Sequence, residues 1–110
     1  MPNQFHSATF SAHLSTLFKI LQASAPVVDV ELVEVTERGT ADGRQPRAAT
    51  RQERFSIVFR GPRDKRLQQG MYQMQHGQLG ALELFLVPVG QDHDGLYYEA
   101  VFNRLRRQDD

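Results

Sequence analysis

The stretch LELFLVPVG, residues 82–90, departs from the apolar–polar alternation of a half-buried strand. Leu82, Leu84 and Leu86 share one face, while Phe85, Val87 and Val89 share the other, interrupted only by Glu83. The other segments are more ordinary. Phe10, Leu14, Leu17, Phe18 and Leu21 follow a helical period, yet Phe18 and Ile20 also alternate with Lys19 as in a strand. The pattern predicts a short helix over about residues 9–16, then a strand to about residue 22. Pro26, with no backbone donor, breaks it. In VVDVELVEVTE, residues 27–37, Val28, Val30 and Leu32 share a face before the apolar phase flips to Val33 and Val35. Such a flip predicts a bulge or a strong twist near Leu32-Val33.

Residues 38–52 show no apolar period and are punctuated by Gly39, Gly43 and Pro46, which predicts a flexible loop. ERFSIVFR places Phe55, Ile57 and Phe59 on one face of a strand that ends at Gly61-Pro62. MYQMQH alternates Tyr72, Met74 and His76 with Gln73 and Gln75. QDHDG predicts a hairpin turn with Asp94-Gly95 as a type I′ pair. YYEAVFN puts Tyr98, Ala100 and Phe102 on its apolar face, and residues 104–110 read as a polar tail. About six strands at short spacing predict a mainly-β single domain over residues 1–110. The expected fold is a small antiparallel barrel or sandwich with a short N-terminal helix.

In an antiparallel sheet, one face meets the core and the other meets water. A strand apolar on both faces calls for a second cover. Three are available: the N-terminal helix through Phe10, Leu14 and Leu17, the 38–52 loop, or another chain. Burying Phe85, Val87 and Val89 together favours the covered state by about 5–8 kcal/mol. Those three residues are the candidate interface. Pro88 cannot donate to a ladder, which predicts an edge position or a strand end.

The segments FSIVFRGP, QGMYQMQHGQLGALELFLVPVG and YYEAVFN resemble an uncharacterised bacterial family of small domains of unknown function. Its pattern is FRGP, QGxYxLxH, LGxLELFLVPVG and YEAVFN. The matching pieces here are Phe55–Pro62, Gln69–His76, Leu79–Gly90 and Tyr98–Asn103, with FSAHLSTLFKI a looser N-terminal match. Met71 and Met74 depart from the pattern. The resemblance implies no reaction, cofactor or binding residue. It does imply a setting in phage-tail-like gene neighbourhoods, including those of collar-type fibre proteins.

Composition narrows the chemistry. Thirteen basic and 13 acidic residues cancel, which argues against a dedicated DNA-binding domain. With no cysteine, disulfides and zinc–thiolate sites are excluded. The first ten residues carry neither a basic nor an apolar leader, and no apolar run is long enough for a membrane span, so a cytoplasmic protein is expected. RGPRDKR clusters Arg60, Arg63, Lys65 and Arg66, and the tail adds Arg104, Arg106 and Arg107. If they converge, Arg60, Arg63 and Arg66 anchor a patch for nucleic acid or another anion. Asp92, His93 and Asp94 are possible metal ligands, but consecutive turn residues diverge, so a solvated turn is expected. His76, at a strand end beside Gly77, could act as a base, although a lone histidine is more often structural; Asp29, Glu31, Glu34, Glu83 and Glu99 read as exposed strand acids. No nucleophile elbow, phosphate-binding loop or paired-histidine motif accompanies them. The expectation is a non-enzymatic structural or interaction module. It needs no cofactor or metal and either self-associates or docks on a protein partner. The anion binder is the alternative.

Overall fold

The computed structural model describes residues 7–23, 25–37 and 50–107. They form one short helix, α1 (Ser7–Ser11), and six strands: β1 (Leu17–Leu21), β2 (Val28–Glu37), β3 (Thr50–Gly61), β4 (Gly70–His76), β5 (Gly80–Asp92) and β6 (Gly95–Arg107). The strands close into a barrel in the order β1-β2-β3-β6-β5-β4, with β4 returning to β1. Every pairing is antiparallel. The mainly-β expectation therefore holds, in its barrel form. No helix among the described residues is long and apolar enough to cross a membrane.

Two strands turn the corners of the barrel. β2 pairs with β1 through residues 28–31 and with β3 from Glu31 onward, with a register shift between Leu32 and Glu34. β5 pairs with β4 through Gly80–Leu86 and with β6 through Val87–Asp92, with a shift between Pro88 and Gly90. Strands that switch partners do so at bulges or bends. The irregularity expected near Leu32-Val33 is present and marks the first corner, and Pro88-Val89-Gly90 marks the second. Pro88 lies where β5 has left β4, so one side of it needs no ladder donor.

The interior is filled by alternate residues: Phe18 and Ile20, Val28, Val30 and Leu32, Phe55, Ile57 and Phe59, Leu82, Leu84 and Leu86, Tyr98 and Ala100. Met74 and Leu67 complete it. Phe10 of α1 plugs one end, with its ring centroid 6.0 Å from Phe55 and 5.5 Å from Phe102; those two rings stack at 4.5 Å.

Three boundaries differ from expectation. The helix stops at Ser11 instead of running to residue 16. The following turn carries Ser15 at φ 68°, a left-handed conformation that no helix continues through. Ser15 N–H donates to the Leu32 carbonyl at 2.7 Å, and Leu32 N–H donates to the Thr16 carbonyl at 3.1 Å, stitching this turn to the β2 corner. The expected 38–52 loop already becomes strand at Thr50, and the expected 104–110 tail is strand as far as Arg107. Residues 50–54 pair with 103–107 as an extension of the β3–β6 ladder. That ribbon runs past Glu37, the last described β2 partner of β3, and its sequence shows no apolar period. Residues 38–49 and 108–110 lie outside the described residues. Finally, the β5–β6 turn is not type I′. Asp92 pairs with Gly95, so His93 and Asp94 are the central residues, and neither has positive φ. The Asp92 carboxylate shapes the turn instead, accepting the Asp94 and Gly95 N–H groups at 2.8 and 3.2 Å.

Candidate functional site

The two faces of β5 have separate fates. Leu82, Leu84 and Leu86 point into the barrel, whereas Phe85 and Val89 remain 47% and 51% exposed on its outside. Val87, opposite Glu99, is half-buried. The helix does not cover this face: α1 packs on β2 and β3, and Leu14 and Leu17, expected to cover it, are themselves exposed. The physical reason is the short α1, which leaves Phe10 alone to reach the barrel end. Two residues not assigned to a contact face from the sequence are also exposed. Met71 lies directly opposite Phe85 on β4, and Val101 sits on the outer face of β6; they are 61% and 59% exposed. Both were readable, because each is out of phase with the inward residues of its strand, Met74 on β4 and Ala100 on β6.

The arginine cluster comes apart. Arg60 lies opposite Glu31 on β2, and its Nη2 donates to Glu31 Oε1 at 2.6 Å. Glu31, through its hydrogen bond and its charge, together with Tyr97, holds the Arg60 guanidinium still more firmly protonated than usual. Tyr97 donates in turn to Asp92 Oδ2 at 2.9 Å. The Asp94 N–H and this phenol keep the Asp92 carboxyl below its ordinary range. Asp92 is thus committed to its turn, while His93 only meets Asp94 at 3.5 Å. Among the described residues no cluster of histidine and carboxylates is arranged to hold a metal ion. Arg63 and Arg66 lie on the β3–β4 loop, beyond Gly61, which pairs with Leu96. Arg104 pairs with Glu53, eight residues further along β6, roughly 26 Å away at strand rise. The β3–β4 loop and Arg104 therefore lie toward opposite ends of one ladder.

His76 is a structural pin. It is buried to 9% exposure at the end of β4, with its ring 4.4 Å from Phe18 and 4.8 Å from His13. Its Nδ1 accepts the N–H groups of Gln78 and Leu79 at 3.0 and 3.1 Å, closing the three-residue turn to Gly80, which takes φ +78°. The Thr16 hydroxyl gives its proton to the His13 carbonyl at 2.6 Å, so its oxygen accepts from His76 Nε2–H at 2.9 Å. This network sets the neutral tautomer with the proton on Nε2. A hollow of about 260 Å³ opens beside the ring, lined by Lys19, Gln75 and Gly77 among others, but both ring nitrogens are already in use. The geometry gives His76 no free nitrogen for a substrate.

Burial, and secondarily the neighbouring His13, push the His76 pKa below 6.5. The unfolded chain then takes up a proton before the folded one does. Stability is therefore complete above about pH 6.5 and declines as the pH falls from there toward the folded-state value. Urea unfolding across this range should show that decline, and the His76 ring resonances should titrate with a midpoint below about 6.5. A midpoint at or above it would mean the ring is not buried at the end of β4.

A family model described as "Domain of unknown function (DUF6916)" matches residues 5–102. The chain belongs to that family, in keeping with the expectation of an uncharacterised domain of unknown function. No curated protein and no solved structure matches it.

Proposed function

We propose that this domain is a non-enzymatic interaction module whose contact surface is the outer face of β4 and β5 with the adjoining part of β6. The observation that carries this reading is the cross-strand pair Met71 and Phe85, apolar and exposed side by side. Val89 and Val101 enlarge the surface, and Val87 supports its centre. Scattered apolar side chains are normal on a protein surface, whereas a group on adjoining strands marks a contact site. A second copy of the chain is the first partner to test. The family resemblance adds a setting, a bacterial phage-tail-like assembly in which a small rigid barrel would serve as a structural part.

Light scattering after size exclusion, over a concentration series, tests the reading. The expected result is a dimer or larger species that Phe85→Glu converts to monomer with an unchanged circular dichroism spectrum. A carboxylate placed in a contact core is left desolvated and unpaired, so the loss of association should exceed tenfold. If the wild-type chain is monomeric throughout and Phe85→Glu retains every protein captured by wild type, this face is not the contact surface.

A further inference from the structure

A second hollow lies between the β1–β2 turn and the β3–β4 loop. Its volume is about 230 Å³, and it is lined by Gln22, Ala25, Pro26, Val28, Lys65, Arg66 and Leu67. The floor is apolar. Val28 and Leu67 belong to the core, and Ala25 and Pro26 add aliphatic surface. The charged side chains at the rim are both cationic. Among the described residues, no carboxylate lines the hollow and none pairs with Lys65 or Arg66. By contrast, Arg60 is paired with Glu31 and Lys19 with Asp29.

The walls are held in place before any ligand arrives. Leu67 is 4% exposed, and its N–H donates to the buried Tyr98 hydroxyl at 3.0 Å. Tyr72 donates to the Gln68 carbonyl at 2.6 Å, and the Arg66 guanidinium reaches the neutral Gln91 side-chain oxygen at 3.4 Å. Across the hollow, Gln22 Nε2 donates to the Pro26 carbonyl at 2.9 Å, which leaves the Gln22 side-chain oxygen and a second N–H available. A preformed site keeps the entropic cost of binding low.

We infer that this hollow binds a carboxylate carrying one compact apolar group. The apolar group fills the floor over Val28 and Leu67, and Lys65 and Arg66 meet the carboxylate. The volume falls short of the roughly 300 Å³ at which pockets for drug-sized ligands begin, so the ligand is the size of a single residue. A free amino-acid-like acid and the C-terminal residue of a peptide share this chemistry. The site is separate from the β4–β5 contact face, and either can fail without the other.

Amide-resolved NMR titration with N-acetyl-leucine is the test, with N-acetyl-leucinamide as the uncharged control. The acid should give saturable shifts at Ala25, Val28, Arg66 and Leu67, and the amide should bind about tenfold or more weakly, as expected for loss of a charge-assisted bond. Lys65→Gln/Arg66→Gln should abolish the difference between acid and amide, while Arg63→Gln, outside the hollow, should leave it intact. A short peptide ending in leucine, free or amidated at its C-terminus, separates the two sources: the free peptide binds at least as well as the acid if the ligand is a chain end, and weaker if it is a free acid. Equal binding of acid and amide, or no saturable shift with the acid, overturns the proposal. Inorganic phosphate giving the same shifts at the same concentration overturns the apolar part of it.

Discussion

Phe18→Ala should destabilise the protein by about 3–5 kcal/mol, the largest effect expected of a single substitution here. Phe18 is wholly buried at the centre of the barrel. Its ring meets Phe59 edge-on at 5.1 Å and His76 at 4.4 Å, so the alanine loses the transfer free energy of the ring and leaves a cavity between both neighbours. A closed barrel collapses poorly around such a void, because each wall strand is hydrogen-bonded on both sides. The loss also reaches the β4–β5 turn, since Phe18 is one wall of the His76 pocket. Urea unfolding should show a lower midpoint with little change in slope. A loss under about 1 kcal/mol would show that the strands close in on the vacancy, and that the barrel is far softer than its packing implies.

The second large effect is expected at Gly95. A methyl group there would stand 2.5 Å from the Gly61 carbonyl oxygen and 2.8 Å from Arg60 Cγ. The first obstacle is backbone, so β3 or β6 must move, and a cost of about 1–3 kcal/mol follows. The turn before Gly95 would also lose its fit to Asp92. Gly70 supplies the control, because a methyl group added to it meets nothing within 4 Å. Gly70→Ala should be neutral or mildly stabilising through the reduced freedom of the unfolded chain. Equal melting temperatures for the two variants would show that β3 and β6 are not in close contact at this end. The type I′ reading of Asp94-Gly95 put the glycine in the turn to supply positive φ. The structure keeps it for a different reason, close approach of two backbones.

The alternation of apolar residues determined the fold class, the inward faces of every strand and the bulge at Leu32–Glu34. All three follow from period-two geometry, in which a one-residue step changes the face of a side chain. The resemblance to a domain family of unknown function was also legible in the chain, and the double-sided pattern of residues 82–89 marked out the exposed face of β5. Tertiary structure decided the rest. Whether α1 or solvent lies over Phe85 depends on where the chain leaves Ser15, and periodicity carries no information about that direction. Arg60 pairs with Glu31, 29 positions away in sequence, because β2 and β3 run side by side. His76 is tied to Thr16, 60 positions away, by closure of β4 onto β1. The Lys65–Arg66 hollow exists only because two loops meet at one end of the barrel. The polar 50–54 and 103–107 segments became strand through the continuing register of β3 and β6, with no apolar signal of their own. Sequence pattern reports which side of a strand is buried. Which strands become neighbours is a property of the closed barrel, and the charges, hollows and exposed patches are set by those neighbours.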